Sequence, residues 1–124
     1  MYRPLLSVVG IFAVLLGFVL LCAPMVYLSL YIAAPTADMA FPAQRLSPAI
    51  IGLGALIWAA RDLPAGPIPA TFTLIAAFVW FGVAATGLFH FATGVATFGI
   101  LVAALTEVIL GALFLLASRQ IRHG

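Results

Sequence analysis

The stretch ATFGILVAALTEVILGALFLLAS, Ala96–Ser118, decides the fold. At 1.5 Å per residue it is long enough to cross a hydrocarbon layer about 30 Å thick. Its one charge is Glu107, and no other Asp, Glu, Lys or Arg occurs from Leu63 to Ser118. An ionisable side chain inside a membrane helix costs at least about 2.5 kcal/mol. Glu107 therefore needs a partner or a use.

The rest of the chain agrees with a membrane setting. It has 124 residues, 66% hydrophobic and 6% charged. Soluble domains carry about a quarter charged residues, so lipid has to cover this surface. The length suits a single membrane domain over residues 1–124. Five arginines and no lysine give a net charge of +2 without any basic cluster, which excludes a nucleic-acid footprint. Cys22 is alone and reads as a small packing residue, with no disulfide or CxxC chemistry. Leu21 before it and Pro24 after Ala23 argue for a retained first helix, not a cleaved leader.

Working outward, the charge-free runs predict an all-α polytopic membrane protein, a bundle of four transmembrane helices at about residues 5–23, 47–60, 70–89 and 97–118. Pro24 closes the first. Residues 25–33 hold Tyr27 and Tyr31 four apart, which suits a headgroup-level segment; a proline-kinked continuation of the first helix fits equally well. PTADMAFPAQR, residues 35–45, predicts a loop, and the second helix that follows is short, about 22 Å over Leu46–Ala60. Four spans put both termini on one side. Arg3, Arg61, Arg119 and Arg122 fall there and Arg45 opposite, so the positive-inside rule places the termini in the cytoplasm.

Depth along the helices suggests a partner for Glu107. It lies twelve residues before Arg119, about 18 Å above that interface, and Arg45 lies about 24 Å above Arg61. An arginine side chain spans the difference, so an Arg45–Glu107 ion pair joining the second and fourth helices is expected. The alternatives are a protonated Glu107 bonded to Thr106 or a carbonyl, and a ligand or proton site. Small residues mark the packing faces: Gly52 and Gly54 on the second helix, Gly82 on the third, Gly111 beside Glu107 on the fourth, with Gly10, Ala13 and Gly17 on the first.

His90 falls about 13 Å from the level of Glu107 and reads as an interfacial residue, and unpaired histidines disfavour haem. No motif for nucleophilic catalysis, phosphate binding or metal chelation occurs, so no catalytic or metal residues and no cofactor are expected. A polar stripe for a pore is missing too. Three positions carry a family likeness: CAPM at Cys22–Met25, QRLSPAIIGLGALIWAARD at Gln44–Asp62, and LTEVILGALFLL at Leu105–Leu116. In Arg45, Gly52, Gly54 and Glu107 the chain resembles small, uncharacterised four-helix bacterial membrane proteins, loosely DoxX-like. The resemblance implies a four-helix fold in a bacterial inner membrane and no particular activity.

The function expected from these features is that of a non-catalytic accessory subunit packing against other membrane protein subunits. Two other readings stand beside it. One is a binder of a lipophilic ligand, such as a quinone, carotenoid, pigment or lipid, anchored by Arg45 and Glu107. The weaker is a small transporter.

Overall fold

A computed structural model describes residues 2–123. It contains five α-helices: α1 Tyr2–Cys22, α2 Pro24–Tyr31, α3 Ala37–Ala60, α4 Pro67–Ala92 and α5 Gly99–His123. Four of them, all but α2, are long and apolar enough to cross a membrane. The protein is an all-helical bundle of multi-pass design.

The α1–α2 break follows from one residue. Pro24 has no N–H to give to the helix, and it disfavours helical geometry at the residue before it. Ala23 accordingly leaves the helix, at φ −141° and ψ 59°, and Pro24 opens α2. Residues 25–33 thus neither continue α1 nor lie unstructured; most of them belong to a separate short helix. The disturbed end of α1 is repaired from outside, because Gln44 Nε2 donates to the Leu21 carbonyl at 3.2 Å. At its other end α2 is tied to the start of α5. The Thr97 N–H donates to the Tyr31 carbonyl at 2.8 Å, and the Thr97 hydroxyl to the Leu30 carbonyl at 3.3 Å.

The second spanning helix is longer than expected. Residues 37–45 are not a loop but the first turns of α3, with Pro42 and Pro48 both inside the helix. Membrane helices keep such prolines where other groups satisfy the freed carbonyls. Pro48 leaves the Gln44 carbonyl without its N–H partner, and the buried Ser47 hydroxyl donates to that carbonyl at 2.6 Å. Asp38 sits in the first turn, where the helix dipole favours an anion. α4 and α5 also exceed the expected spans by a few residues, and α5 absorbs the arginine-rich tail.

Two close pairs make up the bundle, α1 on α3 and α4 on α5. The α1–α3 seam brings main chain against main chain where Gly10 and Gly54 cross. A Cβ on Gly10 would sit 2.8 Å from the Gly54 carbonyl oxygen, and a Cβ on Gly54 would sit 2.8 Å from that of Gly10. Farther along, Gly17 faces Ile51 and Ser47. Only glycine permits this approach. The α4–α5 pair instead fits side chains over glycines, Phe81 on Gly111 and Ile100 on Gly87.

The pairs meet where α1 and α4 begin and α3 and α5 end. Leu6, Val9, Ala60, Ala76, Ala77 and Phe114 form the main buried cluster, and Ala70, Ala117 and Ile121 a second one beside it. Arg3 and Arg61 both pair with Asp62, at 3.0 and 3.6 Å, and the Tyr2 hydroxyl donates to the Ala60 carbonyl at 2.6 Å. Arg61 also stacks on Trp58, 3.4 Å from the ring centroid. Both chain ends therefore lie at one end of the bundle, as the arginine distribution requires.

Candidate functional site

At the opposite end, α2, α4, the α4–α5 turn and α5 line an open cavity of about 350 Å³. Its polar lining is Tyr27, Tyr31, Thr86, His90 and Glu107; Val83, Ile100 and neighbouring aliphatic residues supply the rest. Each polar group arrives for a local reason. Tyr27 and Tyr31 are one turn apart on α2, so they share a face, and their rings meet edge to face at 5.0 Å and 68°. Glu107 is eight residues into α5, about 12 Å from its start, on the side that α2 covers. His90 and Thr86 are likewise one turn apart, on α4.

The hydrogen bonds separate committed groups from free ones. The Thr86 hydroxyl donates to the Val83 carbonyl at 2.7 Å. His90 Nδ1–H donates to the Thr86 carbonyl at 2.8 Å, since a carbonyl only accepts, and this leaves Nε2 as the uncommitted ring nitrogen, an acceptor in the neutral imidazole. Among the described residues the Glu107 carboxylate has no ion pair, and neither Glu107 nor the hydroxyls of Tyr27 and Tyr31 makes a hydrogen bond. All three side chains are half-buried. Burial raises the Tyr27 hydroxyl above its ordinary pKa, and the charges of Tyr31 and Glu107 push the same way. Tyr31 is raised by burial and then by Glu107. Both phenols stay protonated at neutral pH and remain donors.

The expected Arg45–Glu107 pair does not form. Among the described residues the ion pairs are those of Asp62 with Arg3 and Arg61, at the other end of the bundle. Arg45 is exposed on α3, whose close neighbour is α1, while Glu107 is on α5, whose close neighbour is α4. Matching heights along two helices places charges at one level but not on facing sides. Bonding of Glu107 to Thr106 does not occur either, because the Thr106 hydroxyl donates to the Val102 carbonyl.

The small-residue positions divide in the same way. Gly54 and Gly111 lie in helix contacts, whereas Gly52 and Gly82 have nothing within 4 Å of a Cβ position and face outward. Cys22 is exposed instead of packed. Tyr27, Tyr31 and His90 were not expected at the site. Their signal was the four-residue spacing of the tyrosines, which a headgroup role explained equally well. His90 and Glu107 make no direct bond, in keeping with their separation in height, yet they line the same cavity. Among the described residues no group of three His, Cys, Asp or Glu side chains could hold a metal ion.

Comparison with protein families, with curated proteins and with solved structures finds no match for this chain.

Proposed function

We propose that this membrane protein binds a lipophilic molecule with a polar head, seating the head in the α2–α4–α5 cavity. The observation that carries this reading is the position of Glu107. Glu107 is the one acidic side chain in the middle of a spanning helix, and it lines a cavity together with two free phenol hydroxyls and an imidazole. Carboxylates embedded in lipid mark a site or a partner, and among the described residues Glu107 has no partner. The remaining lining is apolar, as ligand pockets generally are. Glu107 is the anchor in this reading, without Arg45. The arginine asymmetry supports cytoplasmic termini, and the DoxX-like resemblance a bacterial inner membrane.

The test is isolation in a mild detergent followed by native mass spectrometry. The protein should carry or take up a small molecule from a lipid extract, and Glu107→Gln should lose it. A preparation that holds none and accepts none overturns the reading.

A second reading, an accessory subunit of a larger membrane assembly, is favoured by the outer face of α3. Pro48, Gly52, Ala55 and Ala59 are all exposed there and form a smooth strip on which another helix can lie. A stoichiometric membrane protein partner that is lost in Gly52→Leu would support it; a partner-free isolate would not.

A further inference from the structure

We propose that the α2–α4–α5 cavity takes an organic cation, an ammonium head on an apolar body, held by the Glu107 carboxylate and the ring faces of Tyr27 and Tyr31. This rests on the reading of the cavity as a ligand site and names the ligand's chemistry.

Charge balance is the first argument. The lining contains one carboxylate and no arginine, and both ion pairs of the described residues lie at the far end of the bundle. In low-dielectric surroundings an unpaired carboxylate attracts a cation far more strongly than it would in water. A ligand presenting only carbonyl oxygens could take bonds from the two phenols but would leave the carboxylate without a counter-charge. A cation supplies the missing charge.

The aromatic pair is the second argument. Tyr27 and Tyr31 both line the cavity and stand edge to face with ring planes 68° apart, so their π faces have different orientations. Aromatic faces set at an angle beside an acid are the arrangement that holds alkylammonium groups. The free His90 Nε2 can accept a bond from an N–H when the head is a protonated amine. Leu28, Ile32, Val83 and Ile100 are left for the apolar body. The volume of about 350 Å³ is at the small end of ligand pockets, which suits a compact head and one ring or chain.

The cation has two sources, the ammonium head of a membrane lipid or a free lipophilic amine. The probe is benzyltrimethylammonium, titrated calorimetrically into full-length protein in dodecyl maltoside. Its matched control is neopentylbenzene, which has the same shape with carbon in place of the charged nitrogen. The cation should bind and the neutral isostere should not. Glu107→Gln should weaken binding about ten- to hundredfold, the range for a charge-assisted contact. Tyr27→Leu should weaken it about two- to thirtyfold. Tyr27→Phe keeps the ring face and should retain binding, which guards against a folding defect in the leucine variant.

Competition by added phosphatidylcholine but not phosphatidylglycerol identifies a lipid head as the source; competition by neither identifies a free amine. Equal binding of neopentylbenzene, or unchanged binding in Glu107→Gln, overturns the cation proposal while the ligand site stands. If neither probe binds and native isolation yields no small molecule, both readings fall.

Discussion

Replacing Gly54 by alanine tests the seam on which the α1–α3 pair is built. The added Cβ would lie 2.8 Å from the Gly10 carbonyl oxygen, 2.8 Å from the Val14 nitrogen and 2.9 Å from the Ala13 Cβ. Ordinary contact begins near 3.4 Å, so the two helices must separate locally by about 0.6 Å. Two of the three obstacles are main-chain atoms, which no rotamer change moves aside. Overpacking of this kind costs about 1–3 kcal/mol. Gly52→Ala is the internal control. Two residues away on the same helix, its Cβ meets nothing within 4 Å, and the change should stay within about 0.5 kcal/mol or stabilise through helix propensity. Unfolding by SDS in mixed micelles, followed by tryptophan fluorescence, reads both, because Trp58 borders the seam at Gly10. A clear loss for Gly54→Ala beside an unchanged Gly52→Ala is expected. Equal midpoints for the two variants would refute the backbone-to-backbone seam.

Further predictions concern the cavity end. The double-mutant cycle of Arg45→Ala and Glu107→Ala should be additive to within about 0.5 kcal/mol, measured by the same unfolding assay; a larger coupling would mean that the two side chains meet after all. Gly99→Ala places a Cβ against the Leu30 carbonyl and should detach α2 from α5, seen as faster amide exchange in residues 24–31 with little change at Phe114. Because burial and Glu107 both raise the tyrosine pKa values, Glu107→Gln should move the tyrosinate absorbance of Tyr27 and Tyr31 to lower pH. In the wild type their protonated forms are favoured by folding, so stability should fall as the pH rises above the ordinary tyrosine value of 10.0. No shift of the titration in Glu107→Gln would remove Glu107 from their neighbourhood. Arg3→Gln should cost less than about 1 kcal/mol, since the Arg3–Asp62 pair is largely exposed.

The spanning helices could be read from composition because lipid imposes one simple rule, long charge-free runs. Arginine placement gave the shared end for the termini for a similar reason: it depends on which side of the membrane a residue falls, not on what it faces. The first turns of α3 escaped, because two prolines and several polar residues in PTADMAFPAQR resemble a loop. What keeps that segment helical near Pro48 is a repair made by Ser47, and repairs leave little trace in a sequence. The cavity was only partly visible. Glu107 stood out by its cost, but its surroundings depend on which way α5 is turned and on α2 folding back across it. Rise per residue yields height; azimuth comes from glycine contacts such as Gly54–Gly10 and Gly111–Phe81, and no sequence spacing stated which glycine was inside. Gly52 and Gly54 illustrate the difficulty, being alike in the chain and opposite in the structure.

The bare contact between α1 and α3 has a mechanical meaning. Between Gly10 and Gly54 main chain rests on main chain, so no rotamer change at that crossing could absorb a displacement, and the pair is stiff there. None of the cavity is built from it. The polar lining belongs to α2, α4 and α5, whose contacts run through Phe81, Ile100 and the Thr97 bonds, groups that can turn or part. The polar-lined cavity thus lies outside the half that the Gly10–Gly54 crossing stiffens, and a guest that reshapes it does so without straining that crossing.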